Sequence, residues 1–115
     1  MLFLQYPPCS TCKKAKSWLD EHKVSYTDRH IKENNPSYEE LKAWYERSGL
    51  PLKRFYNTSG LAYKALNLKE RLLDMTEEEQ LQLLASDGML VKRPLLVLAD
   101  RVLVGFKEAQ WAEYM

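Results

Sequence analysis

The sequence has few cysteines, few histidines and no long apolar run, and each shortage limits what the chain can be. It contains two cysteines and two histidines, whereas a structural zinc site usually takes four such ligands at short spacing. No apolar run approaches the ~20 residues of a membrane span. The start of the chain, Met1–Gln5, lacks the basic residues and the long apolar segment of a signal peptide. We therefore expect a cytoplasmic protein that is not inserted in a membrane.

The chain also has little net charge. The sequence contains seventeen lysines and arginines and sixteen acidic residues, so its formal net charge is +1. A near-neutral chain has no global field that attracts nucleic acid, so direct binding to nucleic acid is not expected. A length of 115 residues predicts a single domain, residues 1–115, with its own hydrophobic core.

The first third of the chain has the pattern of a βαβ unit. Leu2–Tyr6 is apolar and stops at two prolines, which is typical of a short buried strand. Apolar residues at helical spacing then predict a helix with Cys12 on its inner face. Ser25–Ile31 alternates and contains β-branched and aromatic residues, which predicts a second strand.

The middle of the chain, at about residues 36–88, has the features of a helical insert. Capping boxes at Ser37–Glu40 and Thr76–Glu79 predict two helix starts, Asn67–Glu70 is a weaker third, and Gly49 is a predicted stop. Strand character returns afterwards. The last elements are predicted to be a hairpin of Pro94–Leu98 and Arg101–Gly105, followed by a helix at Glu108–Tyr114.

The resulting order, β-α-β, helical insert, β-β-α, is that of an α/β thioredoxin-like fold with a mixed four-stranded sheet. That fold carries its chemistry at the first strand-to-helix turn, where this chain has Cys9-Ser10-Thr11-Cys12. A sulfur at the N-cap faces unpaired backbone N–H groups and the positive end of the helix dipole. Together with the positive charge of nearby Lys13, these groups predict a low pKa for Cys9 and make it the candidate nucleophile. Cys12, one turn further and facing the core, is suited to resolve a mixed disulfide.

Two other interpretations of the cysteine pair stay open. The pair could bind a metal with His22 and His30, although the ligand count speaks against it and we predict no metal site. The two cysteines could also simply pack in the core, because a free thiol behaves as a small apolar group. The histidines lie in charged or alternating segments, so we expect them to be solvated rather than catalytic.

Arg93-Pro94 is the second informative stretch. Proline is permitted at the first residue of a strand, and the analogy with the thioredoxin-like fold makes Pro94 a candidate cis-proline facing Cys9. The Arg93 guanidinium would then point toward Cys9 and bind an oxyanion or stabilise the thiolate. The alternative for Arg93 is a surface ion pair.

Several stretches resemble the arsenate reductase family of the glutaredoxin-coupled type, including its Spx transcription-regulator branch. They are Pro8–Lys13, Asn57–Leu68, Arg93-Pro94 and Gly105–Glu108. The resemblance runs nearly the full length. It implies a thioredoxin-like fold, a nucleophilic Cys9 and a cis-proline at Pro94.

The chain departs from the enzymes of that family at four positions. Lys13, Asn57 and Phe106 stand where the resemblance implies arginines, and Cys12 stands where it implies a serine. Asn and Phe lose the positive charge, and a lysine lacks the bidentate fork of arginine. We therefore do not expect high arsenate turnover.

Two functions follow as expectations. The first is a thiol-disulfide oxidoreductase of this family, with no bound cofactor and with glutathione and glutaredoxin, or thioredoxin, as the electron donor. The second, implied by the Spx branch, is a redox-sensing regulator that binds RNA polymerase. Spx proteins carry extra sequence beyond the last helix, whereas this sequence stops at Met115, so we favour the enzyme.

Overall fold

A computed structural model describes all residues, 1–115. Four strands form one mixed sheet in the order β2-β1-β3-β4, in which β1 is parallel to β2 and antiparallel to β3, and β3 and β4 form a hairpin. The strands are β1 (Leu2–Gln5), β2 (Thr27–His30), β3 (Leu95–Val97) and β4 (Val102–Val104). The predicted order of elements and the thioredoxin-like fold are confirmed.

Six α-helices surround this sheet. They are α1 (Ser10–Glu21), α2 (Tyr38–Ser48), α3 (Leu61–Ala65), α4 (Leu68–Arg71), α5 (Glu77–Ser86) and α6 (Glu108–Tyr114). Three short 3₁₀ turns lie at Leu52–Phe55, Leu72–Asp74 and Gly88–Leu90. No helix is both long enough and apolar enough to cross a membrane.

One face of the sheet is covered by α1 and α6. Successive strand residues point to opposite faces, and Phe3, Leu96 and Leu103 point to this one. They pack against the inner side of α1 and against α6 in a cluster rich in aromatic rings. The cluster comprises Phe3, Ala15, Trp18, Leu19, Leu96, Leu103 and Trp111. We call this side of the molecule the α1 layer; it fixes the helix that carries both cysteines.

The other face is covered by the helical insert, which we call the insert layer. Its larger cluster contains 17 buried residues, among them Leu4, Leu95 and Val104 from the strands. The capping boxes at Ser37 and Thr76 form as predicted, and Gly49 ends α2 in the left-handed conformation with φ 67°. Asn67 is a correction: it has a left-handed backbone at the start of α4 and caps no backbone N–H with its side chain.

A close contact fastens the end of the insert to the chain beyond β2. A Cβ built on Gly88 would lie 1.9 Å from the Ile31 carbonyl oxygen, a separation that no side-chain atom can occupy. Only glycine therefore fits at this position.

The antiparallel pairing of β1 and β3 positions the candidate site. Leu4 is opposite Leu95, so the end of β1 that leads to Cys9 lies beside the start of β3, where Arg93 and Pro94 stand. Cys9 and Pro94, 85 positions apart in the sequence, are thereby brought to the same end of the two central strands.

Candidate thiol site

Cys9 is the N-cap of α1. Its backbone is extended (φ −73°, ψ 125°), and its side chain makes no capping hydrogen bond. The Cys9 N–H donates to the Tyr6 carbonyl at 2.9 Å, and the Cys9 carbonyl accepts from the Lys13 N–H at 3.0 Å. The backbone is thus held on both sides while the thiol stays half-buried and accessible.

The surroundings of Cys9 favour its thiolate. Partial burial opposes ionisation, but the N–H groups of Cys12 and Thr11, the Cys12 thiol and the Arg93 guanidinium outweigh it and hold the pKa of Cys9 below its ordinary value. These groups can donate hydrogen bonds to a negatively charged sulfur. Such an environment is typical of a reactive cysteine.

Cys12 has the opposite environment. It is fully buried on the inner side of α1, and burial, with a smaller contribution from neighbouring Cys9, raises its pKa to about 12. The Tyr6 N–H lies 3.5 Å from the Cys12 sulfur and partly opposes this shift. One helical turn therefore separates a thiol that ionises readily from one that stays protonated.

Arg93 lies beside Cys9, and the Arg93–Pro94 peptide bond is cis. The guanidinium carbon is 5.1 Å from the centre of the Tyr6 ring, and Nη1 donates weakly to the Met89 carbonyl at 3.5 Å. The buried Nε has no hydrogen-bond partner in the protein. Arg93 forms no ion pair within 4 Å, so its donors are available to a thiolate or an anionic ligand.

Tyr6 is a residue of the site that sequence reasoning missed. Its carbonyl accepts from Cys9, its N–H approaches the Cys12 sulfur, and its ring stacks under Arg93. The His30 ring packs edge-on against it at 5.8 Å. The one available signal was its position, an aromatic residue between the first strand and the prolines before the cysteine pair.

Lys13 is brought near Cys9 by its backbone alone. Its side chain lines a surface groove of α1 with Trp18 and Phe106, and the strongest influences on the Cys9 thiol come from other groups. Phe106 itself packs edge-on against Trp111 at 4.8 Å. The structure therefore places Arg93 with the two cysteines and directs the Lys13 side chain elsewhere.

A cavity of about 560 Å³ opens beside Arg93. Asn57 and Lys32 contribute polar groups to its lining, and a backbone turn containing Gly60 forms part of its wall. The two histidines are not in it: His22 is exposed and stacks on Trp18 at 4.0 Å, and the Nδ1 of His30 accepts backbone N–H groups. No group of three or more His, Cys, Asp or Glu side chains is arranged to hold a metal ion.

The sequence from residue 4 to residue 114 matches the model of the ArsC family. The chain belongs to the ArsC family. One relative in this family, the uncharacterised protein YusI of Bacillus subtilis, is 59% identical over 113 residues, which are 98% of this chain and 96% of that one.

Some similar proteins are named as regulators, and others are described as arsenate reductases. Regulatory protein MgsR of Bacillus subtilis is 31% identical over 110 residues, covering 96% of this chain and 86% of its own. Global transcriptional regulators named Spx are also similar. A solved structure described as a possible arsenate reductase from Streptococcus mutans is 44% identical with a TM-score of 0.91, over 99% of this chain and 97% of that one.

Proposed function

We propose that this ArsC-family protein is a thiol-disulfide oxidoreductase in which Cys9 is the nucleophile and Cys12 the resolving thiol. The observation that carries the proposal is the opposite shift of the two pKa values within one helical turn. The pKa of Cys9 is lowered where the thiol is accessible, and that of Cys12 is raised where it is buried. The attacking and the resolving role require this division.

In the first step the Cys9 thiolate attacks one sulfur of a substrate disulfide. A bond forms between Cys9 and that sulfur, the substrate S–S bond breaks, and the other sulfur leaves as a thiolate that takes a proton from water. Arg93 lies where its guanidinium can stabilise the Cys9 thiolate before the attack. Because the pKa of Cys9 is lowered, the reactive form is populated at a lower pH than for a free thiol.

In the second step Cys12 attacks the Cys9 sulfur and releases the substrate as a thiolate. Burial is the main reason for the raised pKa of Cys12, and the charge on Cys9 adds to it. The mixed disulfide removes that charge, so Cys12 ionises more easily after the first step than before it. The nearby Tyr6 N–H stabilises the new thiolate. The protein is thereby oxidised to the Cys9–Cys12 disulfide, and the two electrons it has lost are carried away by the two substrate thiols.

Reduction of that disulfide needs two electrons from an external thiol. We propose glutathione with glutaredoxin, or thioredoxin, in the cytoplasm, where thiols are kept reduced. We propose a disulfide rather than arsenate as the preferred substrate, since Arg93 is the one arginine that lines the cavity beside it. Asn57 in that cavity offers no positive charge to an oxyanion.

Mass spectrometry with oxidised glutathione as the substrate tests the proposal. We expect Cys12→Ser to accumulate one glutathione on Cys9, the unmodified protein to form the internal disulfide and release glutathione, and Cys9→Ser to react at least ~100-fold more slowly. Equal rates for the two single variants would contradict the assignment of roles. Absence of an internal disulfide in the unmodified protein would contradict the resolving role of Cys12.

The relatives named as regulators support a second candidate, a redox-sensing protein that binds RNA polymerase. In this case the Cys9–Cys12 disulfide would change a binding surface and no turnover is needed. Co-purification with RNA polymerase after mild oxidation, lost on reduction and lost in Cys12→Ser, is the expected result. Equal recovery of polymerase with the oxidised, reduced and Cys12→Ser proteins would argue against this candidate.

A further inference from the structure

A second concave site, apart from the cavity beside Arg93, is built around three basic side chains. It has a volume of about 360 Å³ and is lined by Pro51, Lys53, Arg54, Tyr56, Thr58 and Lys92. No acidic residue is among them. Lys53 and Arg54 belong to the 3₁₀ turn Leu52–Phe55, whereas Lys92 comes from the segment before β3. Two separate parts of the chain therefore contribute positive charge to one concavity.

None of these three cations has an anionic partner in the protein. The ion pairs within 4 Å are Lys16–Asp20, Arg29–Glu40 and Arg101–Asp100, and all of them lie elsewhere. The chain as a whole has nearly as many acidic as basic residues, so the lack of pairing is a local feature. Like charges around one concavity repel each other. A bound anion would relieve this repulsion.

The backbone holds the two basic segments in fixed positions. The Lys92 N–H donates to the Phe55 carbonyl at 2.8 Å, and the Asn57 N–H donates to the Leu90 carbonyl at 2.8 Å. Between them, Tyr56 and Val91 form an antiparallel bridge. Leu52 and Phe55 anchor the 3₁₀ turn in the core of the insert layer. Because the backbone is already ordered, ligand binding has only the ends of the side chains to immobilise.

The lining also limits the kind of ligand. The Tyr56 hydroxyl is directed away and donates to the Gln80 carbonyl at 2.7 Å, so it supplies nothing to the concavity. The exposed Thr58 hydroxyl is free to join the three cations. Every charged group here is a donor, and the volume lies within the usual range for small-molecule sites. Such a site selects small ligands with two or more negative charges.

From this arrangement we propose that Lys53, Arg54 and Lys92 form a binding site for a small polyanion that carries phosphate or carboxylate groups. The site is separate from the thiol chemistry: Cys9 and Cys12 do not line it. It nevertheless neighbours the thiol site along the chain, because Lys92 directly precedes Arg93 in the sequence.

Titration of ¹⁵N-labelled protein with pyrophosphate, and separately with citrate, tests the site. We expect saturable shifts of the Lys53, Arg54, Thr58 and Lys92 amide signals at low salt. In the triple variant K53Q/R54Q/K92Q the affinity should fall at least ~10-fold, since three charge-assisted contacts are removed. Stronger binding of pyrophosphate identifies a phosphate ligand, and stronger binding of citrate identifies a carboxylate ligand.

Two controls make the result specific. The variant K42Q/K64Q/K69Q removes the same charge from exposed positions outside this concavity and should change the affinity by less than ~2-fold, because those cations make no contact with the ligand. Cys9→Ser should bind as the unmodified protein does, whether or not the proposed redox activity is real. Shifts that never saturate, or an equal loss of affinity in both triple variants, would overturn the proposal. An intact amide spectrum of each variant shows that it is folded.

Discussion

The two layers that cover the sheet hold the thiol site in different ways. The α1 layer is a small cluster dominated by aromatic rings, and it carries both cysteines on one helix. The insert layer is larger and consists of short helical pieces, and the bidentate pair of Arg29 with Glu40 ties its helix α2 to strand β2. Arg93 and Asn57 belong to the segments on this second side. The thiol is thus provided by one layer, and the groups that we propose to meet a substrate are provided by the other.

This division has a chemical consequence. The ionisation of Cys9 depends mainly on the first turn of α1, which the α1 layer fixes, and to a smaller degree on Arg93. Changes in the insert layer other than at Arg93 should therefore alter ligand recognition and stability while they leave the reactivity of the Cys9 thiol unchanged. Changes in the first turn of α1 should lower the reactivity of the Cys9 thiol while they leave ligand recognition and stability largely unchanged. The four predictions below test this separation, in order of decreasing expected effect.

The largest effect is expected from Trp111→Ala in the α1 layer. Trp111 is fully buried, packs against three other aromatic rings, and donates from Nε1 to the Gly105 carbonyl at 3.2 Å. Truncation of a buried tryptophan costs about 4 kcal/mol of unfolding free energy. Urea unfolding measures this loss. The matched change in the insert layer, Leu84→Ala, should cost about 3 kcal/mol, and a loss below ~1 kcal/mol for Trp111→Ala would contradict the described core.

Glu40→Gln should destabilise the insert layer in a pH-dependent way. Arg29, together with the Ser37 N–H, lowers the pKa of Glu40 from 4.5 to about 2. A lowered pKa in the folded state means that the stabilisation is present above pH 4.5 and is lost as the pH falls toward 2. The full shift corresponds to about 3 kcal/mol. Since 36% of the Glu40 side chain is exposed, screening reduces this to about 1–2 kcal/mol.

Unfolding experiments at several pH values check this prediction. The difference between Glu40→Gln and the unmodified protein should be largest near pH 7 and should shrink as the pH falls from about 4.5 through about 2. Glu39→Gln is the control, because Glu39 is exposed and forms no ion pair. A difference that does not change with pH would show that the Arg29 pair does not set the pKa of Glu40.

Arg93→Gln should slow alkylation of Cys9 while the protein stays folded. The guanidinium lowers the pKa of Cys9. Its removal therefore raises that pKa, and at any pH below the pKa a smaller fraction of Cys9 is thiolate. Hydrogen bonds to charged groups contribute about 1.5–3 kcal/mol, and the partial exposure of Cys9 lessens this contribution. We therefore expect Cys9 of Arg93→Gln to be alkylated about fivefold more slowly at pH 6. The pH dependence of iodoacetamide reaction measures it. The same pH profile for both proteins would remove Arg93 from the thiol site.

The smallest effect is expected from Tyr6→Leu, which removes the ring under Arg93 but keeps the Tyr6 backbone contacts. An exposed cation–π contact contributes about 0.5–1 kcal/mol, so alkylation of Cys9 should slow about twofold at pH 6. Tyr6→Phe keeps the ring and should restore the rate. If Phe and Leu behave alike, the ring does not position Arg93.

The sequence was sufficient to predict most of the fold. The predictions that failed concern features that depend on pairing and contacts between distant residues. β1, α1 and the hairpin have strong local patterns, and they occur where expected. The second strand was predicted at Ser25–Ile31 and is shorter, Thr27–His30, because it is an edge strand whose single partner, β1, pairs with these four residues only. The breaks within the insert depend on contacts between distant residues, such as Asn57 with Leu90, which no local pattern contains.

The candidate site was predictable to the extent that it lies in one local motif. Cys9 at a helix start and Cys12 one turn later follow from spacing, and Arg93 followed from the fold analogy. The direction of the Lys13 side chain, the contacts of Tyr6 and the group of three cations around Lys92 depend on how distant segments pack. Residues that only the tertiary fold brings together are not separated by a characteristic number of positions, so no sequence motif marks them.

The contact between Gly88 and the Ile31 carbonyl has a consequence for how this protein can change. Lys32, Asp87 and Met89, the neighbours of that contact, all line the cavity beside Arg93. This part of the cavity lining is therefore carried by two backbone segments that touch each other. We therefore expect substitutions of Lys32, Asp87 or Met89 to change the chemistry of the lining while the backbone beneath it keeps its position.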